Sequence, residues 1–128
     1  MARLAGSPPA VVRTRSLRGL LPYYRDVLGF RVLQHVPGVL ALLQFEQFTL
    51  QLWQRNDFGG HSFCVVSLDG RRSDIQRLHA AFRRCDAGGL MERVPALQPR
   101  GSWEFGLVDP EGNQVVFEQW VTGLARNA

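Results

Sequence analysis

The sequence predicts an α+β fold in which two tandem βαβββ modules form curved sheets around a cavity, with the helices on the outer faces. Three observations predict it. The order strand, helix, three strands occurs twice, in halves of roughly sixty residues each, which is the mark of an internal repeat. The strands alternate between an apolar side that a helix must cover and a mixed side that faces away from it. Finally, the stretch from Trp103 to Trp120, W-E-F-G-L-V-D-P-E-G-N-Q-V-V-F-E-Q-W, reads as a hairpin: two runs rich in β-branched and aromatic residues flank the turn formers Asp109-Pro110-Glu111-Gly112-Asn113.

Taken in order, Ala10 to Thr14 reads as a short strand, and Leu17 to Leu28 places Leu17, Leu20, Leu21, Tyr24, Val27 and Leu28 at helical spacing. Pro22 is tolerable only in a first turn, so the helix is expected to begin near residues 18–20, and Gly29 ends it. Strands follow at Phe30 to His35, Val39 to Phe45 and Phe48 to Gln54, broken by Pro37-Gly38 and Glu46-Gln47. After the loop at 56–60 comes a strand, His61 to Leu68. A helix from Ser73 to Cys85 has Ser73 as its expected N-cap and Ile75, Leu78, Ala81 and Phe82 as its buried stripe, and Gly88-Gly89 stops it. Leu90 to Val94 reads as a strand and Pro95 to Ser102 as an exposed loop. The modules then span about 10–57 and about 60–121 of a single domain.

Side-chain parity assigns the faces. Thr49, Gln51 and Trp53 oppose Leu50 and Leu52; His61, Phe63 and Val65 oppose Cys64 and Val66; Gln114, Val116, Glu118 and Trp120 oppose Val115, Phe117 and Gln119. Two mixed sides that curl toward each other would enclose a cavity, where a ligand belongs.

Composition narrows the chemistry. A chain of 128 residues with 45% hydrophobic content buries about two thirds of its unfolded surface without a disulfide or metal staple. All 15 basic residues are arginine, so there is no lysine for a Schiff base or an amine nucleophile. The net charge of +4 would suit an anionic partner. The arginines are scattered rather than gathered, so solvated surface is the expectation over a nucleic-acid footprint. Cys64 and Cys85 match no zinc or redox spacing and are expected as reduced thiols, which suggests a cytoplasmic location. No run is long enough to span a bilayer as a helix.

Tyr23-Tyr24-Arg25-Asp26-Val27-Leu28-Gly29-Phe30 resembles the first-helix signature F-Y-x-x-x-L-G-F of the vicinal oxygen chelate superfamily, and Asp109-Pro110-Glu111-Gly112-Asn113 resembles its D-P-[DE]-G-N hairpin. This superfamily includes glyoxalase I, the bleomycin-resistance proteins and the extradiol dioxygenases. The resemblance covers about Ala10 to Trp120. It implies the paired βαβββ fold and says much less about the reaction.

The superfamily's enzymes hold a divalent metal with one ligand on the first and one on the last strand of each repeat. Carried over position by position, the resemblance implies one ligand in place, one substitute and two losses. Nothing from Met1 to Leu17 is a His, Glu, Gln or Asp; Leu50-Gln51-Leu52 stands for L-E-L; His61 stands for the family's His; and Val116 stands where a Glu is expected, with Glu118 on the same face two residues later. A hard divalent ion wants three or four oxygen or imidazole donors. No cofactor is therefore favoured. The alternative is zinc, nickel, manganese or iron on a rearranged set of His61, Gln51 and Glu118. His61 is otherwise a pocket imidazole bonded to Glu118 or to a ligand, and Glu118 is either an arginine partner or a base. His61 and Glu118 are the catalytic candidates.

The expected function is metal-independent binding or sequestration of a small molecule, as in the metal-poor, bleomycin-resistance-like branch. Arg13, Gln51, Trp53, His61, Phe63, Trp103, Glu118 and Trp120 are the candidate ligand-binding residues. The aromatics suit a planar ligand. Arg13, which shares its strand face with Val11, suits an anionic one. The alternatives are that several of these aromatics are core or dimer contacts, that Arg13 is a surface arginine, and that the protein is a glyoxalase-type lyase or a dioxygenase. The resemblance and the unpaired sheet edges of a lone subunit also lead to the expectation of a homodimer.

Overall fold

The computed structural model describes residues 10–57, 59–68, 73–85 and 88–121. The chain runs β1 (Val11–Thr14), α1 (Leu17–Pro22), a π-helical turn (Tyr23–Val27), β2 (Arg31–Val36), β3 (Leu40–Phe45), β4 (Phe48–Gln54), β5 (Phe63–Ser67), α2 (Ser73–Arg84), β6 (Ala96–Leu97), β7 (Ser102–Val108) and β8 (Gln114–Trp120). Two mixed four-stranded sheets result, ordered β1-β4-β3-β2 and β5-β8-β7-β6. In each, the first strand runs parallel to the last because a helix intervenes, while the hairpin partners run antiparallel.

The first helix begins earlier than expected, and Pro22 lies inside it rather than in its first turn. Ser16 sets the start: its backbone is extended and its hydroxyl accepts from the Gly19 N–H at 3.1 Å. Proline lacks the N–H that would continue the ladder, and the chain widens into the π turn directly after it, with the Leu28 N–H reaching the Tyr23 carbonyl at 3.0 Å. Gly29, at φ +93°, closes the segment as the Phe30 N–H reaches the Tyr24 carbonyl.

The second module departs from the first at its edge. The stretch expected as a strand at Leu90 to Val94 makes only an isolated bridge, Leu90 to Leu107, and the stretch expected as a loop contains β6. Between them the Glu92 carboxylate accepts the Gly106 N–H at 2.7 Å, so a side chain replaces the backbone partner where Pro95 interrupts the edge. The expected cap at Ser73 rests on a side chain outside the described residues.

Both helices cover one face of the sheets. Val12, Leu50, Leu52, Ala41 and Leu43 are buried under the first, and Val66, Phe105, Leu107, Val115 and Phe117 under the second. Phe82 of α2 joins the modules: its ring packs 5.3 Å from Phe45 and 6.4 Å from Phe30 on one side, and 5.7 Å from Phe117 and 6.2 Å from Phe105 on the other. A buried polar link spans the same boundary. The Tyr24 hydroxyl donates to Asp109 Oδ2 at 2.8 Å, and Asp109 Oδ1 accepts from the Glu111 and Asn113 N–H groups, both at 2.9 Å. The family-like Tyr23-Tyr24 and D-P-E-G-N segments thus meet in the core.

The sheets do not close on each other. The mixed faces form an open surface rather than the enclosed cavity that the parity of the strands suggested. Phe63 on that surface is 62% exposed and Trp53 37%. Among the described residues, no helix is long and apolar enough to cross a membrane.

Candidate ligand-binding face

The open face is built from alternate residues of both sheets. On the first sheet, Val12 and Thr14 are buried, which turns Val11 and Arg13 outward, and the β1–β4 register sets Val11 beside Gln51 and Arg13 beside Trp53. The Trp53 indole N–H donates to Gln51 Oε1 at 2.8 Å, so the amide is already engaged and fixes the ring. The Arg13 backbone N–H donates to Ser62 Oγ at 2.7 Å and draws β1 against the start of β5. Its guanidinium makes no hydrogen bond or ion pair within the described chain.

On the second sheet, Phe63, Val65 and Ser67 of β5 share the open face with Gln114, Val116, Glu118 and Trp120 of β8 and with Ser102, Glu104, Gly106 and Val108 of β7. Glu118 accepts from the Ser67 hydroxyl at 2.7 Å and from the Trp120 indole at 3.2 Å. Glu104, its neighbour across the hairpin, accepts from Ser102 at 2.9 Å and from Arg100 at 2.6 Å. The hydrogen bond and the charge of Glu104, with Glu118 adding less, hold the Arg100 guanidinium further above its already high pKa.

Two sequence expectations need correction here. His61 does not meet Glu118. The parallel register puts Ser67 beside Glu118, and His61 lies six residues before Ser67, roughly 20 Å of strand away. Its Nδ1–H instead donates to the Glu111 carbonyl at 3.0 Å, with the ring against Gly112, outside the sheet. Trp103 is also absent from this face. It pairs with Gln119 on the helix-covered side, where the indole N–H and the Gln119 side-chain N–H are both buried without an acceptor among the described residues.

The proposed metal donors therefore do not assemble within one chain. Gln51 is held by Trp53, His61 by the hairpin turn, and Glu118 by Ser67 and Trp120, on separate parts of the surface. Among the described residues, no three His, Cys, Asp or Glu side chains converge. A divalent ion does not fit the His61, Gln51 and Glu118 set as placed here. Cys64 faces the helices rather than this surface, and burial, with the Asp109 charge adding to it, pushes its thiol up to about 11.

Sequence reasoning missed Glu104, Ser67 and Arg100. Glu104 was within reach, because counting outward from the D-P-E-G-N turn pairs Val108 with Gln114 and so Glu104 with Glu118. Ser67 needed the β5–β8 register, and Arg100 sits on a loop whose course no periodicity gives.

No family model matches the chain, and no curated protein does. Solved structures do. A bleomycin-binding protein complexed with bleomycin superposes with a TM-score of 0.67 at 18% identity, over 88% of this chain and 97% of that one. The bleomycin resistance determinant encoded on transposon Tn5 gives 0.64 at 22% identity, over 88% and 96%. A lactoylglutathione lyase from Agrobacterium tumefaciens gives 0.65 at 18% identity, over 89% and 93%. These likenesses, with the two βαβββ modules, show that the chain has the fold of the glyoxalase and bleomycin-resistance proteins, the vicinal oxygen chelate fold.

Proposed function

We propose that this protein binds a small planar ligand carrying an anionic group, without a bound metal, on an open face that a second copy covers. The observation that carries the reading is Arg13: a cation with no carboxylate partner among the described residues, paired along the strands with Trp53 and held by its backbone N–H to Ser62, next in sequence to the exposed Phe63. A guanidinium left unpaired beside aromatic surfaces is a ready partner for a carboxylate on a flat ligand, which it can bind through two parallel hydrogen bonds. Glu118 and Trp120 line the far end of the same face. The bleomycin-binding structures of the same fold lend support to small-molecule binding as the class of function. The exposed Phe63, Val65, Trp53 and Val108 support association, because a lone subunit leaves this apolar surface in water.

The test is quenching of tryptophan fluorescence by 2-naphthoate, with 2-naphthylmethylammonium as the opposite-charge control. Naphthoate is expected to bind more tightly, and Arg13→Ala to weaken it by about tenfold, the loss of one charge-assisted hydrogen-bonded contact. No effect of Arg13→Ala on naphthoate binding sinks the reading. Calorimetric titration with zinc, nickel, manganese and iron(II) tests the metal: tight stoichiometric binding lost in His61→Ala would replace the binder with a glyoxalase-type lyase or dioxygenase. Light scattering that gives a monomer at micromolar concentration would remove the second copy.

A further inference from the structure

At the other end of the open face, Glu104 and Glu118 stand directly opposite each other on β7 and β8. Like charges opposed across a strand pair repel, and Glu118 is almost buried, so the pair needs a cation between them. Arg100 supplies it, with Nη2 2.6 Å from Glu104 Oε2 and 3.6 Å from Glu118 Oε1. An independent contact points the same way: the guanidinium carbon lies 5.4 Å from the centroid of the Trp120 ring, where the face of an indole attracts a cation. The niche thus has an aromatic floor and two carboxylate walls. Ser67, Ser102 and the Trp120 N–H hold those walls in place without Arg100.

The occupant, by contrast, is loosely attached. Arg100 sits in the turn that links β6 to β7, closed by the Gly101 N–H on the Gln98 carbonyl, and its side chain is 62% exposed. It can swing out without breaking any strand pairing. The cation that satisfies the niche is a tethered loop side chain.

We propose that the niche formed by Glu104, Glu118 and Trp120 is a recognition site for a small planar organic cation, a guanidinium or amidinium, and that Arg100 is an intramolecular stand-in which the incoming cation displaces. This site is separate from the one at Arg13. Arg13 lies level with Ser62, five residues and roughly 16 Å of strand from Ser67 and Glu118. Failure of either site leaves the other intact. A tethered competitor lowers apparent affinity by the fraction of time it leaves the site free, so occupancy by Arg100 for about nine tenths of the time masks affinity about tenfold.

The test uses benzamidine and calorimetry on the full chain. Arg100→Ala is expected to bind benzamidine about tenfold more tightly than the natural chain, Arg100→Ala with Glu118→Gln to lose that gain, and benzoate to gain nothing in either. No gain in Arg100→Ala overturns the proposal. So does an equal gain for benzoate, or a gain that survives Glu118→Gln, since either means that removal of Arg100 merely uncovers apolar surface. Arg100→Gln, which keeps the bulk of the side chain and is checked for folding by circular dichroism, carries the same expectations if the alanine variant does not fold.

Discussion

Replacing Asp109 with alanine should be among the most damaging single changes available to this chain. The carboxylate is 3% exposed and accepts hydrogen bonds from the Tyr24 hydroxyl, the N–H groups of Glu111 and Asn113, and the Asn113 amide. Removing it leaves the Tyr24 hydroxyl and the Asn113 side chain buried and without their acceptor, and each such orphan costs about 1 to 3 kcal/mol. The D-P-E-G-N turn also loses its internal brace, for a total of about 3 to 5 kcal/mol against a typical domain stability of about 5 to 15 kcal/mol. Tyr24→Phe removes a single bond and leaves Asp109 its other donors, so it should cost only about 1 to 1.5 kcal/mol. Urea denaturation followed by tryptophan fluorescence measures both. With a slope of about 2 kcal/mol per molar, Asp109→Ala should lower the midpoint by about 1.5 to 2.5 M at unchanged slope. A loss below about 1 kcal/mol for Asp109→Ala, or one that Tyr24→Phe equals, would refute the view that this carboxylate organises the junction between modules.

The alkaline limb of stability should be steep. Burial, with the charge of Asp109 adding to it, raises Tyr23 from 10.0 to about 12, and the same causes raise Cys64 from 9.0 to about 11. Both groups are neutral when protonated and titrate later in the folded chain, so their contribution is complete below pH 9, falls as the pH rises through 9 to 12, and should fall less in Tyr23→Phe when followed by thermal melts across that range. Gly89→Ala should destabilise strongly, by about 3 kcal/mol or more, because an added Cβ would sit 2.0 Å from the Val108 carbonyl oxygen and force the bridge beside β7 apart; calorimetric melting reads the loss. Arg77→Ala, although it removes contacts to Glu46 at 2.5 Å and Asp74 at 3.2 Å, should cost less than about 1 kcal/mol in the same assay, because the ion pairs lie in water.

Much of the fold was legible because its signals are local. Alternation along Val11–Thr14 and Phe48–Gln54 reports which side chains a helix covers, and the D-P-E-G-N turn fixes the hairpin that follows from it. Three things were not legible, each for a physical reason. The π turn follows directly on Pro22, and hydrophobic spacing does not distinguish it from a continuous helix. The edge from Leu90 to Leu97 alternates too poorly to show that a glutamate side chain would take over a backbone role. Parallel register depends on how a helix packs across its sheet, so of His61 and Glu118, plausible neighbours by parity alone, the first precedes the start of β5 and the second lies beside its end. The face of Trp103 could have been read, since it differs in parity from Glu104, the partner of Glu118.

Phe82 has a consequence for how the two repeats can evolve. Its ring touches phenylalanines of both, so neither half has a complete interior of its own. A gene cut in the loop at 56–60 would yield two fragments, each with a greasy flank left wet and each dependent on the other to bury it. A change of size at that shared aromatic knot, made in one half, would have to be accommodated by the other.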